Sequence, residues 1–598
     1  MIAEDFAVRW FQHAGFSPEE ARRRAELAAQ RVPRYSPPVP WGYVLAIFLV
    51  EWFFPLLFLR RWSRASRLDA SRFDELENRL HQHPWLVVRL LYTLVRLPIW
   101  ESLAPEKQPS FDFVHPLTEK ISKPEGEEKF DYIVVGSGPG GAPLAWSLSR
   151  AGFKVAVIES GSLAEPSTTA AALERYYLKQ AMTLSIGGGL MPVLAGDTVG
   201  GTTPINSGTC LRPLREKLEQ WDRTLGTEFA EGMLDPYLDQ VEEAFGVTVP
   251  PKSLLGRSAL IFENGLTALG REGAYVLPRA AKDCVGSGRC CFVCPSGAKF
   301  GTDRAFLPEA IDAGCTLFAQ SRVTSIREDA QGVRIQVRHG GREYRFKADG
   351  LVLSAGAFGT PALIRKNRLG SHWRRAGAHL RTHPAAKVYA YMPDSVNGEE
   401  GVPQGMGYRP PELPRVVMEG IFTPKAGSPV MVSSSGRRLN WWLDRYENLA
   451  SFGVMLIERS EGKLFNFFSW PVIRYRMVPE DVRDLSAAIL LMGKVFFAAG
   501  AKRVLLPLVG MKNEYDSIEE LDAIKAEDLA LNHLISSGFH PQGTAAMGTV
   551  VDRHLALKGT RRIHVCDASV LPASPGVNPQ ITVMALSLYL ADRLKSGR

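Results

Sequence analysis

The sequence predicts an α/β (α+β) protein in which a strand–helix–strand domain is followed by a second, β-rich domain and preceded by a helical extension. Three observations support this prediction. Buried strands alternate with a helix just after residue 129, β-like apolar runs recur later in the chain, and the N-terminal part contains only helical and apolar segments. The predicted units are a helical extension (1–125), the strand–helix–strand domain (126–384), the β-rich domain (385–534) and a C-terminal segment that returns to the second unit (535–598).

Length and composition indicate a large globular protein and exclude some functional classes. Of 598 residues, 45% are hydrophobic and 22% are charged, a balance typical of folded domains. The formal net charge is +8, and Lys and Arg are spread along the chain, so no nucleic-acid partner is indicated. The N-terminus lacks the apolar core and cleavage site of a secretory signal, so we expect a cytoplasmic, reducing location.

The helical extension contains two apolar segments. Residues 41–59, WGYVLAIFLVEWFFPLLFL, are almost long enough to span a bilayer, but a glutamate near their middle counts against a plain span. Residues 85–100 place two arginines seven positions apart on one helical face, as in an interfacial amphipathic helix. Helices packed in a core show the same periodicity. Contact of residues 41–100 with a membrane surface is therefore one of two open interpretations.

A glycine-rich turn joins the first strand, FDYIVV, to the first helix, APLAWSLSRAG. Gly136, Gly138 and Gly141 form the pattern GxGxxG, and Glu159 ends the next strand eighteen positions after the third glycine. The first glycine permits a tight turn, the second lets the backbone approach a pyrophosphate, and the third allows close helix–strand packing. Glu159 would accept hydrogen bonds from ribose hydroxyls. The unit therefore predicts a Rossmann-like dinucleotide site, although it does not distinguish FAD from NAD.

Motifs further along the chain resemble those of a known flavoenzyme family. GSGPGG, VGGTTPIN, SAGAFGTP, FHPQGTAAMG and CDASVLPASPGVNPQITVMA occur in the order and spacing of the glucose–methanol–choline (GMC) flavin oxidoreductases, over roughly residues 129–598. MPVLAGDTVGGTTPINSGTCLRP and the CPSGAK segment resemble most the long-chain alcohol oxidase and cholesterol oxidase branch. The resemblance implies FAD as cofactor, a β-sheet substrate-binding domain, and oxidation of the CH–OH group of a donor.

The resemblance also implies which residues contact FAD. The three glycines of the first turn would lie on the pyrophosphate, and Glu159 on the adenosine ribose. The other implied positions are Gly200, Gly201 and Asn206 on the flavin side, Val323 at the adenine, Asp567 at the second FAD motif, and Asn578 and Pro579 beside the isoalloxazine ring.

Two residues carry the chemistry expected for alcohol oxidation, in which the hydroxyl loses a proton while hydride passes to flavin N5. His540 is expected to act as the base, because histidine accepts protons near neutral pH. Asn578 is expected to hydrogen-bond the substrate oxygen, which matches the His/Asn version of the family's catalytic pair. Glu419, in an apparent strand, is an ordinary strand acid or an auxiliary base. Three further histidines are expected to be structural: His383, His533 and His564.

The family branch favours a hydrophobic primary or secondary alcohol, long-chain or sterol-like, as the substrate, with an aldehyde or ketone as the product. Oxygen or an electron-transfer partner would be the acceptor. Two alternatives stay open: a sugar or polyol dehydrogenase that passes electrons through an iron–sulfur cluster to a cytochrome or quinone, and a flavin-dependent lyase or decarboxylase on the same fold. A purely flavin-binding, non-enzymatic component is disfavoured, because His540 and Asn578 are both present.

The segment CVGSGRCCFVCPSGAK, residues 284–299, carries four of the seven cysteines. A disulfide is unexpected in a reducing compartment, and zinc is poorly supported because no second CxxC or His pair lies nearby. Cys284, Cys290 and Cys294 are spaced like the ligands of a three-iron cluster in some family dehydrogenases. An iron–sulfur cluster and simple thiol packing both stay open.

Overall fold

The structure is a computed structural model that describes residues 2–103, 110–111, 113–189, 191–430, 432–467 and 470–597. Its described residues form a layer of N-terminal helices, a seven-stranded sheet, an eight-stranded sheet and two smaller sheets. Helices and mixed sheets confirm the predicted α/β class. The domain boundaries after residues 125, 384 and 534 stay predictions.

The secondary-structure elements are numbered in chain order. The α-helices are α1 (Ile2–His13), α2 (Pro18–Ala29), α3 (Val39–Phe48), α4 (Phe54–Leu59), α5 (Ala70–His81), α6 (Leu86–Leu103), α7 (Ala142–Arg150), α8 (Thr169–Tyr176), α9 (Arg215–Leu225), α10 (Asp235–Ala244), α11 (Arg257–Ala268), α12 (Thr302–Ala305), α13 (Leu307–Asp312), α14 (Gly356–Asn367), α15 (Gly436–Asp444), α16 (Pro479–Ala498), α17 (Ile518–Asp522) and α18 (Gln580–Ser596). The strands are β1 (Glu127–Val135), β2 (Val155–Ile158), β3 (Leu184–Ile186), β4 (Met191–Pro192), β5 (Val247–Thr248), β6 (Tyr275–Val276), β7 (Arg279–Ala280), β8 (Thr316–Phe318), β9 (Ser321–Asp329), β10 (Gly332–His339), β11 (Arg342–Leu353), β12 (Pro384–Tyr391), β13 (Met406–Tyr408), β14 (Val416–Gly420), β15 (Leu449–Leu456), β16 (Lys463–Phe467), β17 (Trp470–Arg474), β18 (Arg503–Leu505), β19 (Glu514–Tyr515), β20 (Ser537–Gly538) and β21 (Ile563–Val565).

The seven-stranded sheet contains the predicted strand–helix–strand unit as β1, α7 and β2. Its parallel part has the order β8–β2–β1–β11–β21. Strands β9 and β10 form an antiparallel hairpin that pairs with the first half of β11. β1 and β11 end side by side, since Val135 is in register with Leu353. In such sheets ligands bind at the carboxyl ends of the parallel strands, which is where the first glycine turn lies.

The eight-stranded sheet is antiparallel and has the order β19–β18–β12–β15–β14–β13–β6, with β20 also paired to β12. Side chains alternate between its two faces. Ala386, Val388 and Ala390 of β12 join one hydrophobic core with residues of α11 and α16. The neighbouring residues Ala385 and Lys387 line a cavity on the opposite face. The sheet therefore has one face packed on helices and one face directed toward a candidate site.

The N-terminal helices pack onto the second sheet through their own hydrophobic core. This core combines residues of α1, α3, α5 and α6 with Tyr389, Phe422 and Trp442. Glu77 lies at its centre, 2% exposed, and accepts hydrogen bonds from Trp10 Nε1 (2.5 Å) and the Tyr92 hydroxyl. The helical run Val39–Leu59 is also long and apolar enough to cross a membrane, judged by length and composition alone. This region therefore has a buried core face and an apolar outer face, and its contact with a membrane surface stays a prediction.

Helices α11 and α16 approach so closely that Gly265 has no room for a side chain. A Cβ atom at Gly265 would lie 2.1 Å from the carbonyl oxygen of Val495. Alanine is favoured over glycine in an open helix by about 1 kcal/mol, whereas overpacking a core costs about 1–3 kcal/mol. We therefore expect Gly265→Ala to lower the thermal unfolding midpoint measured by circular dichroism. The matched control is Asn264→Ala, at the adjacent exposed position, which should leave the midpoint unchanged or raise it. Equal stability of the two variants would contradict the close contact.

Candidate active site

A cavity of about 2520 Å³ extends between the two large sheets and the N-terminal helices. Most of the residues predicted to bind a dinucleotide or to react lie on its wall. These are Gly136, Gly138, Glu159, Gly201, Asn206, Val323, His540, Asp567, Asn578 and Pro579. Gly141 and Gly200 pack just behind that wall, and Cys284, Cys290 and Cys294 do not line it. The cavity therefore collects predicted residues that are more than 400 positions apart in the chain.

The first glycine turn depends on backbone contacts that side chains would block. Gly136 has φ +106°, and a Cβ atom there would lie 2.2 Å from the carbonyl oxygen of Ser354. A Cβ atom at Gly141 would lie 1.9 Å from the carbonyl oxygen of Gly136, so the third glycine allows α7 to begin directly on the turn. The free N–H groups at the start of α7 favour an anion at this point. The turn thus has the geometry of a phosphate-binding loop.

The second glycine turn lies directly against the first. Gly201 has φ +61°, and a Cβ atom there would lie 2.8 Å from Gly138 Cα. Asn206, which follows this turn, is held by the buried Lys299, whose Nζ donates to its carbonyl oxygen (2.6 Å) and side-chain Oδ1 (3.2 Å). Asn206 Nδ2 donates to Gln580 Oε1 (2.8 Å), at the start of α18. The segment is thereby tied to the C-terminal helix.

Two buried carboxylates face the cavity near these turns. Glu159, 6% exposed, accepts hydrogen bonds from Ser137 N (3.0 Å) and Oγ (2.7 Å) through one oxygen and from Gly161 N (2.9 Å) through the other. Asp567 accepts from Gly356 N at 2.9 Å. Burial raises the pKa of both carboxyl groups, and their hydrogen bonds act in the opposite direction. Both acids are therefore fixed by the backbone of the glycine-rich segments around them.

His540, Asn578 and Glu419 form a compact polar cluster on the cavity wall. Asn578 Nδ2 lies 3.4 Å from His540 Nε2 and 3.4 Å from Glu419 Oε2. Asn578 Oδ1 and Glu419 Oε1 are buried, and neither has a hydrogen-bond partner among the described residues. Buried polar atoms without partners are uncommon in folded proteins. The cluster therefore has unused hydrogen-bonding capacity for a polar ligand.

His383, expected from the sequence to be structural, orients His540 in the structure. Its Nδ1 lies 3.1 Å from His540 Nδ1, and its Nε2 lies 2.5 Å from Ser574 Oγ and 3.0 Å from the Gln542 amide. Asn578 Nδ2 donates to His540 Nε2, so the His540 proton lies on Nδ1 and is donated to His383 Nδ1, and His383 Nε2–H donates to Ser574 Oγ. This arrangement requires the Gln542 amide to turn its oxygen, in place of its Nε2, toward His383. The Nε2 lone pair of His540 then faces Asn578. The sequence signal for His383 was slight: a His–Pro pair like that of His540.

Burial sets the protonation states of the cluster. It lowers the pKa of His540 to about 4 and holds that of His383 well below its usual range, because charge on either imidazole would be desolvated. It raises the pKa of Glu419 to about 7, an effect reduced by the hydrogen bond from Asn578. Near neutral pH the histidines are therefore uncharged, whereas Glu419 exchanges between its neutral and charged forms.

A chain of side-chain amides and hydroxyls links this cluster to the second glycine turn. Gln404 Nε2 donates to Glu419 Oε2 (2.7 Å), and Gln404 Oε1 accepts from Thr209 Oγ1 (2.7 Å). Gln580 Nε2 donates to the Thr209 carbonyl (2.6 Å) and Gln580 Oε1 accepts from Asn206. These hydrogen bonds fix the distance between the polar cluster and the second glycine turn. They join four distant segments, so one sequence motif could not have revealed them.

The proposed iron–sulfur site is not supported by the structure. In the described parts of the chain, no group of three Cys, His, Asp or Glu side chains is placed to hold a metal ion. The three thiols have separate partners: Cys284 Sγ accepts from Gly286 N, Cys290 Sγ from Arg279, and Cys294 Sγ contacts Ser296 Oγ. The segment braces the site instead, since the Cys290 carbonyl accepts from Lys299 Nζ (3.0 Å). Cysteine spacing alone did not decide whether the thiols converge.

Comparison with known proteins gives a consistent result. Two sequence-family models described as GMC oxidoreductase match residues 130–385 and 469–587. An uncharacterized GMC-type oxidoreductase of Mycobacterium tuberculosis is 35% identical over 77% of this chain and 75% of its own length. A long-chain-alcohol oxidase of Arabidopsis thaliana is 27% identical over 78% of this chain and 68% of its own length. A solved formate oxidase has a TM-score of 0.63 at 17% identity, over 79% of this chain and 99% of its own, which is a likeness of fold.

Glu458 supports the cluster from behind and provides a test of its burial. Its Oε1 accepts from Thr382 N (2.7 Å) and His383 N (3.1 Å), and burial raises its pKa from 4.5 to about 7. The folded protein therefore keeps a proton that the unfolded chain releases, so this group makes folding stability fall as pH rises through this range.

Glu458→Gln should remove that loss, because its amide oxygen can accept the same two bonds without charge. We expect the variant to be more stable than the parent protein at pH 8, by about 1–3 kcal/mol, and no more stable at pH 4, as measured by chemical unfolding at both values. The exposed Glu527→Gln is the control and should show no such dependence. An equal effect of Glu458→Gln at both pH values would contradict the raised pKa.

Proposed function

Since the chain belongs to the GMC oxidoreductase family, we propose that it is an FAD-dependent enzyme that oxidises a lipophilic primary or secondary alcohol to an aldehyde or ketone. The observation that carries this proposal is the cluster of His540, Asn578 and Glu419 on the wall of the cavity that both glycine turns border. The family establishes the oxidoreductase class and supports FAD. The substrate and the roles of individual residues belong to the proposal.

The residues of the cavity fit FAD. The two glycine turns meet without side chains, which leaves backbone N–H groups accessible to a pyrophosphate, and the Glu159 carboxylate is fixed beside them. The partnerless Asn578 Oδ1 supplies a buried acceptor for a polar ring edge. The residues proposed to hold the cofactor are Gly136, Gly138, Gly141, Gly200 and Gly201 at the pyrophosphate, Glu159 at the ribose, Val323 at the adenine, Asp567 behind the C-terminal turn, and Asn206, Asn578 and Pro579 at the flavin.

When bound, FAD supplies the acceptor for the hydrogen and the electron pair that leave the alcohol carbon. His540 accepts the hydroxyl proton at Nε2, which is free because burial lowers the pKa of its imidazole to about 4 and His383 holds the other nitrogen. Asn578 Nδ2, 3.4 Å from His540 Nε2, donates to the substrate oxygen and fixes its position. Glu419 orients Asn578 through their mutual hydrogen bond.

Oxygen is the proposed electron acceptor. Relatives of this chain include proteins described as a long-chain-alcohol oxidase and as choline oxidase. An iron–sulfur relay lacks a converging set of thiols within the described residues, so the sugar or polyol dehydrogenase alternative loses its main support. No observation favours the lyase or decarboxylase alternative.

The shape of the cavity supports a lipophilic substrate. Beyond the polar cluster the cavity continues to the N-terminal helices, where its wall is mainly apolar. The residues that contribute there include Val39, Leu45, Leu90, Leu94, Leu97 and Trp100. Apolar surface of this kind favours burial of a hydrocarbon chain by about 25 cal/mol per Å². This wall is the reason for proposing a long-chain or sterol-like alcohol.

The helices that line the cavity also carry an exposed apolar face, which we propose contacts an anionic membrane surface. The large exposed side chains of these helices and their connections are Trp41 (72%), Val44 (63%), Phe48 (55%), Leu57 (55%), Trp62 (89%), Trp85 (71%) and Val87 (66%). Trp41 and Val87 also border the cavity. The exposed Arg60 and Arg61 adjoin it and would attract anionic headgroups. Glu51 points inward and bonds to Arg64 and Ser66. The run therefore fits a helix lying in the membrane interface better than one that crosses it.

The role of His540 can be tested by anaerobic reduction of the bound flavin with dodecanol. His540→Ala should bind FAD but lose about a hundredfold or more of the reduction rate, because proton transfer to a positioned base contributes about that factor. His533→Ala, at a histidine outside the cavity wall, is the control and should react normally. If Glu419→Gln stops the reaction while His540→Ala does not, Glu419 is the base instead.

The membrane contact predicts binding to lipid vesicles. The full chain should float with vesicles that contain phosphatidylglycerol and bind less to pure phosphatidylcholine. The triple variant Trp41→Ser, Phe48→Ser, Trp62→Ser should bind at least tenfold less. Burying a large apolar side chain contributes about 1.5–3 kcal/mol of transfer free energy, and each substitution removes one such side chain from the contact. The double variant Val249→Ser, Val285→Ser changes apolar residues that are similarly exposed (63% and 67%) elsewhere and should bind normally. Undiminished binding by the triple variant would sink the proposal.

A further inference from the structure

Lys387 is a lysine on the buried, cavity-facing side of β12. The neighbouring Val388 packs into the core on the other face of the strand, and Ala386 joins the same core while also bordering the cavity. Lys387 lines the cavity and is only 9% exposed. Lysine is almost never buried to this degree without an anionic partner. Its position therefore needs an explanation.

Nothing in the described part of the chain neutralises this ammonium group. Its Nζ donates to Thr423 Oγ1 (3.0 Å) and lies over the rings of Tyr389 (4.5 Å) and Phe422 (5.6 Å). No carboxylate of a described residue forms an ion pair with it, and its remaining donors have no acceptor among these residues. Burial consequently lowers the pKa of Lys387 to about 7. An anion brought into the cavity would reverse that effect and use the free donors.

The sheet register places Lys387 in line with the catalytic cluster. Lys387 pairs with Gly453 on β15, and Gly453 pairs with Glu419 on β14. Residues paired across neighbouring strands point to the same face, so Lys387 and Glu419 lie on one face with their Cα atoms about 10 Å apart, two strand spacings. Gly453, between them, also lines the cavity and carries no side chain. One extended molecule can therefore contact both positions.

A second buried cation contributes to the same cavity from the N-terminal helices. Arg96, on α6, is 3% exposed; its Nη2 lies 3.1 Å from His81 Nδ1, and Glu77 balances part of its charge. Its Nε and Nη1 have no hydrogen-bond partner among the described residues. Its guanidinium lies over Trp100 (4.5 Å) and Tyr92 (4.3 Å). Two sides of the cavity thus offer unused cationic donors, although its wall is otherwise largely apolar. This combination suits a ligand with a hydrocarbon body and an anionic group.

We propose that Lys387 forms a subsite for a carboxylate at the far end of the substrate, so that the enzyme acts on amphipathic alcohols such as ω-hydroxy carboxylates. The inference rests on the proposed function and defines its substrate class. A carboxylate is favoured over a phosphate because its single charge matches one ammonium, whereas a second negative charge buried here would need further compensation. The alcohol end reaches His540 and Asn578, and the anionic end stays at Lys387.

The test compares ω-hydroxydodecanoate, its methyl ester and dodecanol as reductants of the flavin in the holoenzyme. The unmodified enzyme should bind the hydroxy acid about ten- to a hundredfold more tightly than the ester or dodecanol, a range expected for a buried hydrogen bond to a charged group. Lys387→Met keeps the length of the side chain but removes its charge. It should raise KM for the hydroxy acid by the same factor, with little change in kcat or in either constant for dodecanol.

A control variant and the comparison of substrates distinguish failure of the Lys387 subsite from failure of the proposed alcohol oxidation. Lys502→Met removes an exposed lysine and should change none of these constants. If neither alcohol reduces the flavin of the unmodified enzyme, the proposed function fails. If dodecanol is oxidised and the hydroxy acid shows no preference over its ester, the subsite is refuted without any variant. A shifted flavin absorption spectrum in Lys387→Met would also overturn it, because the lysine would then contact the cofactor rather than the substrate.

Discussion

The direct backbone contact between the two glycine turns is the constraint on which the rest of the site depends. A Cβ atom at Gly201 would lie 2.8 Å from Gly138 Cα, and one at Gly140 would lie 1.7 Å from the carbonyl oxygen of Cys566. The first turn is therefore held between the second turn and the end of β21. Any side chain at these points would separate the segments. Because the two turns touch without side chains, backbone N–H groups form the part of the cavity wall where a cofactor phosphate is expected.

The chemistry of the cluster follows from the burial that this contact permits. The chain of Asn206, Gln580, Thr209 and Gln404 connects the second turn to Glu419. Removal of the site from water then shifts acids and bases in opposite directions: the pKa of Glu419 rises to about 7, and that of His540 falls to about 4. A single physical effect thus places an uncharged imidazole beside a carboxyl group that titrates near neutral pH. Burial likewise lowers the pKa of Lys387 to about 7, because no carboxylate of the described residues pairs with its ammonium group.

The N-terminal helices connect this chemistry to the protein surface. Their inner face completes the cavity near Arg96 and Trp100, and their outer face exposes residues such as Phe48 and Trp62. The sequence left packed helices and interfacial helices open; the structure shows the packed face, and membrane contact of the outer face stays a proposal. The unpaired Lys387 adds a polar end to the otherwise largely apolar cavity.

The amino-acid sequence by itself determined the features that depend on local pattern. The GxGxxG turn with Glu159 and the alternating strands were predictable because each is carried by residues close together in the chain. The roles expected for His540 and Asn578 came instead from the resemblance of their motifs to those of the family. Only the tertiary structure decided the rest. His383 lies 157 positions from His540 in the chain. Lys387 and Glu419 lie on one face only because β12, β15 and β14 pair in this register. The spacing of Cys284, Cys290 and Cys294 allowed a cluster site, but their thiols form no metal-binding group among the described residues. Contact, burial and charge compensation are properties of segments brought together by folding, and no local pattern contains them.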